Sequence, residues 1–124
     1  MGKYIVKPTN TGFNFVLKAG NNEIIATSEV YTSEKSAMNG VASVQKNAAA
    51  APIEDQTKEG YAKEKNPKFE VYTDKAGEFR FRLKAANGQN ICASEGYKSH
   101  RSCINGINSV KKNAESPVVK QEAK

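Results

Sequence analysis

Two stretches of this chain are copies of one another, and that limits the fold more than any other feature. Ser28-Glu29-Val30-Tyr31-Thr32-Ser33 opens one copy, and Ser94-Glu95-Gly96-Tyr97-Lys98-Ser99 opens the other. The match runs on to Val44-Gln45-Lys46-Asn47-Ala48 and Val110-Lys111-Lys112-Asn113-Ala114. Upstream, Phe13-Asn14-Phe15-Val16-Leu17-Lys18 answers Phe79-Arg80-Phe81-Arg82-Leu83-Lys84, and Tyr4-Ile5-Val6 answers Phe69-Glu70-Val71. The offset is 65 residues up to Gly12 and Gly77 and 66 after them, so one residue near Glu78 is extra, in a turn. A unit of roughly 50 to 55 residues is marginal as an independent core, so the two copies are expected to share one.

Each copy reads as three strands and a helix. Lys3 to Lys7 alternates weakly and meets the turn residues Pro8-Thr9-Asn10-Thr11-Gly12. Phe13 to Lys18 is the clearest strand, with Phe13, Phe15 and Leu17 on one face, and Glu23 to Ser28 forms the third strand beyond Asn21-Asn22. In the second copy Asn87-Gly88 marks the same hairpin and predicts a type I′ turn. Ser33 and Ser99 suit the N-cap position. Ala37, Val41, Val44 and Ala48, and their twins Cys103, Ile107, Val110 and Ala114, then recur at helical spacing as one apolar stripe. Gly40 and Gly106 interrupt the stripe and predict close packing against a strand, while Asn47 and Asn113 are expected to end each helix in the left-handed region. The expected organisation is a first repeat over residues 1–57, a charged linker over 58–66, a second repeat over 67–120 and a disordered tail over 121–124.

Composition sets further bounds. No apolar run is long enough to span a bilayer, and Met1-Gly2-Lys3-Tyr4 lacks the core of a signal peptide, so a cytoplasmic protein is expected. Cys92 and Cys103 stand where the first copy has Ala26 and Ala37, and they read as small buried side chains, not as a bridge or metal ligands. The net charge of +6 is uneven: residues 1–65 hold 8 Lys against 7 acids, while residues 66–124 hold 11 Lys and Arg against 6 acids. A polyanion is expected to meet the second half first.

The tandem copies, with Ser-Glu-Gly-Tyr at 94–97, Asn-Gly-Ile at 105–107 and the Ser-Val-Lys-Lys-Asn-Ala piece at 109–114, resemble the YegP-like family, a bacterial domain of unknown function. The resemblance covers nearly all of the chain outside the linker and tail. It implies an α+β fold of two β-β-β-α-β repeats forming one mainly antiparallel sheet with two helices on one face. The strand after each helix crosses to the other repeat, which makes Ile53 and Val118-Val119 the exchanged strands. A monomer with an internal pseudo-dimer follows from the tandem arrangement. Val30 departs from the glycine of the pattern, so the first helix is expected to be entered differently. The family supplies no catalytic residues.

Three constellations are candidates for function. Arg80, Arg82 and Lys84 alternate with apolar residues, so they share the sheet face away from the helices with Lys68, Glu70 and Tyr72 of the neighbouring strand. Such a face could hold a phosphate backbone, and its plainer reading is a solvated surface with Glu70 paired across the strands. On the first copy the same positions hold Asn14, Val16 and Lys18, with Ile5 alongside. Glu29 and Tyr31 recur as Glu95 and Tyr97, which could act as an acid and a phenol at a helix start. The favoured reading is structural, with the carboxylate on the helix amides. Asn39 and Asn105 are likewise expected to be buried amides holding the helix to strand carbonyls. His100 is alone and expected to be exposed. With no phosphate loop, nucleophile elbow, metal-ligating pair or cofactor signature, the reading is a non-enzymatic binding module for an unknown protein or polyanion, without cofactor, metal or membrane. Weak nucleic-acid binding through the second repeat and a small enzyme using Glu95 and Tyr97 are the alternatives.

Overall fold

In the computed structural model, residues 2–120 are described, Lys120 by its backbone alone; the tail expected at 121–124 lies outside them. The first repeat supplies β1 (Lys3–Pro8), β2 (Phe13–Lys18), β3 (Ile24–Ser28), α1 (Glu34–Asn47), a short 3-10 turn (Ala48–Ala50) and β4 (Ile53–Asp55). The second supplies β5 (Lys68–Thr73), β6 (Phe79–Lys84), β7 (Asn90–Ala93), α2 (His100–Asn113) and β8 (Val118–Lys120). They form one eight-stranded sheet in the order β4-β5-β6-β7-β3-β2-β1-β8. The repeats meet in the middle, where Thr27 pairs with Ala93 and Ser28 with Cys92 in antiparallel register. Both outer pairings are parallel and both are exchanges: β4 of the first repeat lies on β5 of the second, and β8 of the second lies on β1 of the first.

The sequence periods explain the layering. Phe15 and Leu17 of β2 and Phe81 and Leu83 of β6 alternate onto the helix side and are fully buried, as are the stripes of both helices. A β-bulge opposite Leu17 and another opposite Leu83 interrupt the alternation. At these bulges consecutive residues, Ile25-Ala26 and Ile91-Cys92, are buried together. The bulges also serve the seam: α1 packs on β1 and β2 and reaches β7, while α2 packs on β6 and reaches β3. One cluster of buried side chains from both copies fills the interior, so the shared core expected from repeat length is what forms. Both cysteines are buried free thiols inside it. Burial pushes the Cys92 thiol up to about 12, which keeps it protonated at neutral pH.

Several local expectations are corrected. Asn87 does not take positive φ; Gly88 does, at 85°, and Gly88 N–H donates to the Ala85 carbonyl. The loop is therefore a type I turn closed by a left-handed third residue, not type I′. In the first copy Asn22, at φ 70°, fills that role. Asn47 stays right-handed at φ −109° and the cap residues Ala48 and Ala114 are helical too, so neither asparagine ends its helix by reversal. Asn113 instead donates to Ser109 and accepts from the Gly2 N–H at 3.1 Å, tying β1 to the end of α2. The entry at Val30 is not different either, since Ser33 and Ser99 have matching backbone angles and cap the same position. A β-carbon at Gly96 would run into the Glu78 side chain, whereas Val30 faces Gly12. The glycine has moved to the other strand of the hairpin, and space is kept in both copies.

Candidate functional site

The pairing registers place one residue from each strand in a single row across the face opposite the helices. It reads Val119, Ile5, Val16, Thr27, Ala93, Arg82, Glu70, Glu54. The pseudo-twofold sets Val119 against Glu54, Ile5 against Glu70 and Val16 against Arg82. One end of the row is apolar and the other is ionic.

At the ionic end, Arg80, Arg82, Lys84, Lys68 and Tyr72 do share a face, as their alternation predicts. Each cation is already engaged. Arg82 Nε donates to Glu70 at 2.6 Å, and its guanidinium lies 4.4 Å from the centre of the Tyr72 ring. Lys68 Nζ reaches Glu54 at 2.7 Å and Glu70 at 3.2 Å. Arg80 is held by Asp74 at 2.6 Å and by the Ser94 carbonyl, and Lys84 donates to the Gly88 carbonyl. Glu54 and Glu70 are 2 % and 6 % exposed. Burial pushes the Glu54 carboxyl up, but hydrogen bonds from Lys68, Gln56 and the Glu64 N–H outweigh it and hold the group at about 2. Glu70 is also lowered, because Arg82 and Lys68 together overcome its burial. The Glu70 pairing expected from the sequence is present. The second carboxylate, Glu54, arrives on the exchanged strand, whose parallel register no local pattern reveals.

At the apolar end, Ile5, Val16 and Val119 adjoin, with Val119 48 % exposed. Lys3 and Lys18 are cross-strand partners beside them and Lys7 lies two residues along β1. None of these lysines has an ion pair among the described residues. On this face Lys68, Arg80 and Arg82 of the second repeat are met by carboxylates, whereas Lys3, Lys7 and Lys18 of the first are not. Lys3 and Lys7 carry no special signal in the sequence; only the register gathers them.

The polar positions shared by both copies divide into two groups. Ser28 and Ser94 are buried, each accepting from a strand N–H (Phe15 at 2.8 Å, Phe81 at 2.9 Å) and donating to the next carbonyl. Tyr31 and Tyr97 bridge to Phe13 and Phe79 and stack on Phe15 and Phe81, and burial raises both phenols. Glu29 and Glu95 are exposed and their carboxylates make no hydrogen bond or ion pair among the described residues, which corrects the expectation that they satisfy the helix start. That work is done by Ser33 and Ser99, each accepting from the third amide onward at 3.1 Å. Ser99→Ala is accordingly expected to cost about 1 kcal/mol in denaturant melts. Glu95→Gln should stay within about 0.5 kcal/mol of the natural protein; the reverse ranking would restore the carboxylate as the cap. Asn39 and Asn105 are exposed and their side chains have no hydrogen-bond partner among the described residues, so they are not buried anchors. His100 is not free: Nε2 lies 2.5 Å from Asp55 on β4, and the ring meets Phe79 edge-on.

Comparison with known proteins places this architecture. The model described as "Domain of unknown function (DUF1508)" matches residues 9–55 and again 74–121. The UPF0339 protein of Bordetella pertussis is 41 % identical over 121 residues, covering 98 % of this chain and 96 % of that one. The UPF0339 protein YegP of Escherichia coli K12 is 44 % identical over 114 residues, covering 92 % and 90 %. The solution NMR structure of yegP from E. coli, a protein of unknown function, superposes with a TM-score of 0.80 at 36 % identity, over 99 % of this chain and 95 % of that one. With the domain matched twice and relatives alike along nearly their whole length, this chain belongs to the UPF0339 family of tandem DUF1508 proteins.

Proposed function

We propose that the protein is a non-enzymatic docking module whose first-repeat half of the open sheet face receives an acidic protein segment. The supporting observation is the asymmetry of the cross-sheet row. Where the second half is held by ion pairs, the first leaves Ile5 and Val119 beside Lys3, Lys7 and Lys18, which have no ion pair among the described residues. An apolar centre with a cationic rim matches a partner of apolar centre and acidic rim. A second copy of the same face would set lysine against lysine.

The nucleic-acid alternative through Arg80, Arg82, Lys84, Lys68 and Tyr72 is less favoured. A phosphate would have to displace Asp74, Glu54 and Glu70, and the Tyr72 ring lies against Arg82. The enzymatic alternative with Glu95 and Tyr97 is also less favoured, because the Tyr97 hydroxyl is turned toward Gly106 in α2.

Titrating a labelled peptide of alternating Glu and Leu, and a labelled single-stranded DNA, from about 50 to 200 mM salt separates these readings. The peptide is expected to bind the natural protein and to lose most of its affinity with Lys3→Glu plus Lys18→Glu, while Arg80→Ser plus Arg82→Ser leaves it bound. Equal retention by the lysine variant would overturn the proposal. DNA binding abolished by the arginine variant would put the nucleic-acid reading in its place.

A further inference from the structure

The seam between the repeats contains a cleft of a different chemistry. One wall is α1 with Tyr31 at its approach, and the other is the β6–β7 hairpin of the second repeat. It encloses about 230 Å³, the space of roughly eight waters at about 30 Å³ each. No Lys, Arg, His, Asp or Glu among the described residues lines it. Its polar groups are the Tyr31 hydroxyl, the amides of Asn39, Asn87, Gln89 and Asn90, and serine hydroxyls of α1.

Most of the polar residues on this side of α1 have internal work. Ser36 accepts from Ser33, Ser43 from Asn47, and Asn87 is bonded to Gln89. Three are left over. The Tyr31 hydroxyl and the side chains of Asn39 and Asn90 have no hydrogen-bond partner among the described residues, although all three open on the same small space. Each offers both a donor and an acceptor. Gly40 lies in the same wall, and a β-carbon there would come within 2.5 Å of the Tyr31 oxygen, so the glycine preserves the position of that hydroxyl.

The pseudo-twofold supplies an internal comparison. A second cleft lies between α2 and the β2–β3 hairpin, lined by Asn21, Ser109 and Lys112. The second cleft carries the charge of Lys112, and the sequence counterparts of Gln89 and Asn90 in the first repeat are Glu23 and Ile24, an acid and an apolar residue in place of two amides. The two clefts share a frame and differ in lining.

We propose that the uncharged cleft binds a neutral polyhydroxylated ring, the size of one sugar unit. Lack of charge disfavours phosphates and carboxylates. Its volume suits one ring better than a chain, and neighbouring ring hydroxyls can each donate to one amide oxygen and accept from another amide nitrogen.

Saturation-transfer NMR with the full chain and millimolar glucose, myo-inositol, N-acetylglucosamine and, as charged counterpart, glucose 6-phosphate provides the test. Transfer is expected to at least one neutral probe and not to be stronger for the phosphate. It should fall at least tenfold in Asn39→Ala and in Asn90→Ile, which copies Ile24 of the first repeat. Asn39 is exposed on a helix where alanine is favoured, so an unchanged melting curve will show that this variant is folded. No transfer from any neutral probe, or transfer undiminished in both variants, overturns the proposal.

Discussion

Gly106→Ala is expected to lower stability by about 1–3 kcal/mol, although the same change on an exposed helix raises it by about 1 kcal/mol. A β-carbon at this position would sit 2.5 Å from the Tyr97 oxygen and 2.9 Å from a ring carbon of Phe81. The tyrosine cannot simply swing away, because its ring is stacked on Phe81 at 6.4 Å between centroids. Phe81 in turn is fully buried against Phe69. Adding Tyr97→Phe should recover part of the loss, since it removes the closest atom, and a double-mutant cycle measured by urea unfolding reads that coupling directly. A stabilised single mutant would show that the helix can ride further from the sheet than this geometry allows. Gly40, Tyr31 and Phe15 form the same arrangement in the first repeat and should give the same result.

Glu54→Ala is expected to cost about 3 kcal/mol. It leaves Lys68, whose side chain is 12 % exposed, to share Glu70 with Arg82. The loss comes from a stranded charge, so removing the charges together should not reproduce it. The quadruple variant Glu54→Val, Glu70→Ile, Arg82→Val, Lys68→Leu copies the row that the first half already carries as Val119, Ile5 and Val16 and also removes the lysine that the two carboxylates hold. It should fold with stability above that of Glu54→Ala, and a quadruple variant less stable than the single one would refute the account. The same group sets an acid limit. Its folded-state value of about 2 lies below the ordinary 4.5, so its contribution is complete above pH 4.5 and is lost as pH falls toward 2. In Glu54→Ala that part of the acid transition should disappear, which equilibrium unfolding as a function of pH will show.

What the sequence made legible follows the range of the interactions. Alternation in Phe13–Lys18 and Phe79–Lys84 and the stripes ending at Ala48 and Ala114 are local patterns, and they correctly set strands, helices, buried faces and serine caps. The crossing of β4 and β8 came from family resemblance, since three-residue strands carry no period of their own. Everything that depended on the crossing was invisible. The carboxylate of Glu54 beside Lys68 and the hold of Asp55 on His100 both span the exchange, so a charge tally along the chain could not reveal either pair. Single-residue conformations were also beyond reach. Asn87-Gly88 permits two turn types, and the loop took the one with only its glycine left-handed. Asn47 and Asn113 could have ended their helices by reversal, but Asn113 found a better partner in the Gly2 amide. For the glutamates the error was chemical: with Ser33 and Ser99 already accepting the free amides, Glu29 and Glu95 had nothing left to satisfy.

The exchanged strands also bear on how the two copies can change over generations. Glu54 is encoded with the first repeat but completes the charge balance of the second, and Val119 is encoded with the second but covers Ile5 of the first. Each repeat thus carries a piece of its sibling's surface. A chain built from two first repeats would set Glu54 on Ile5, and one built from two second repeats would set Val119 over Lys68 and Glu70. In either chain the Glu54–Lys68 pair that spans the exchange would be lost, so the two copies act as complementary parts of one surface.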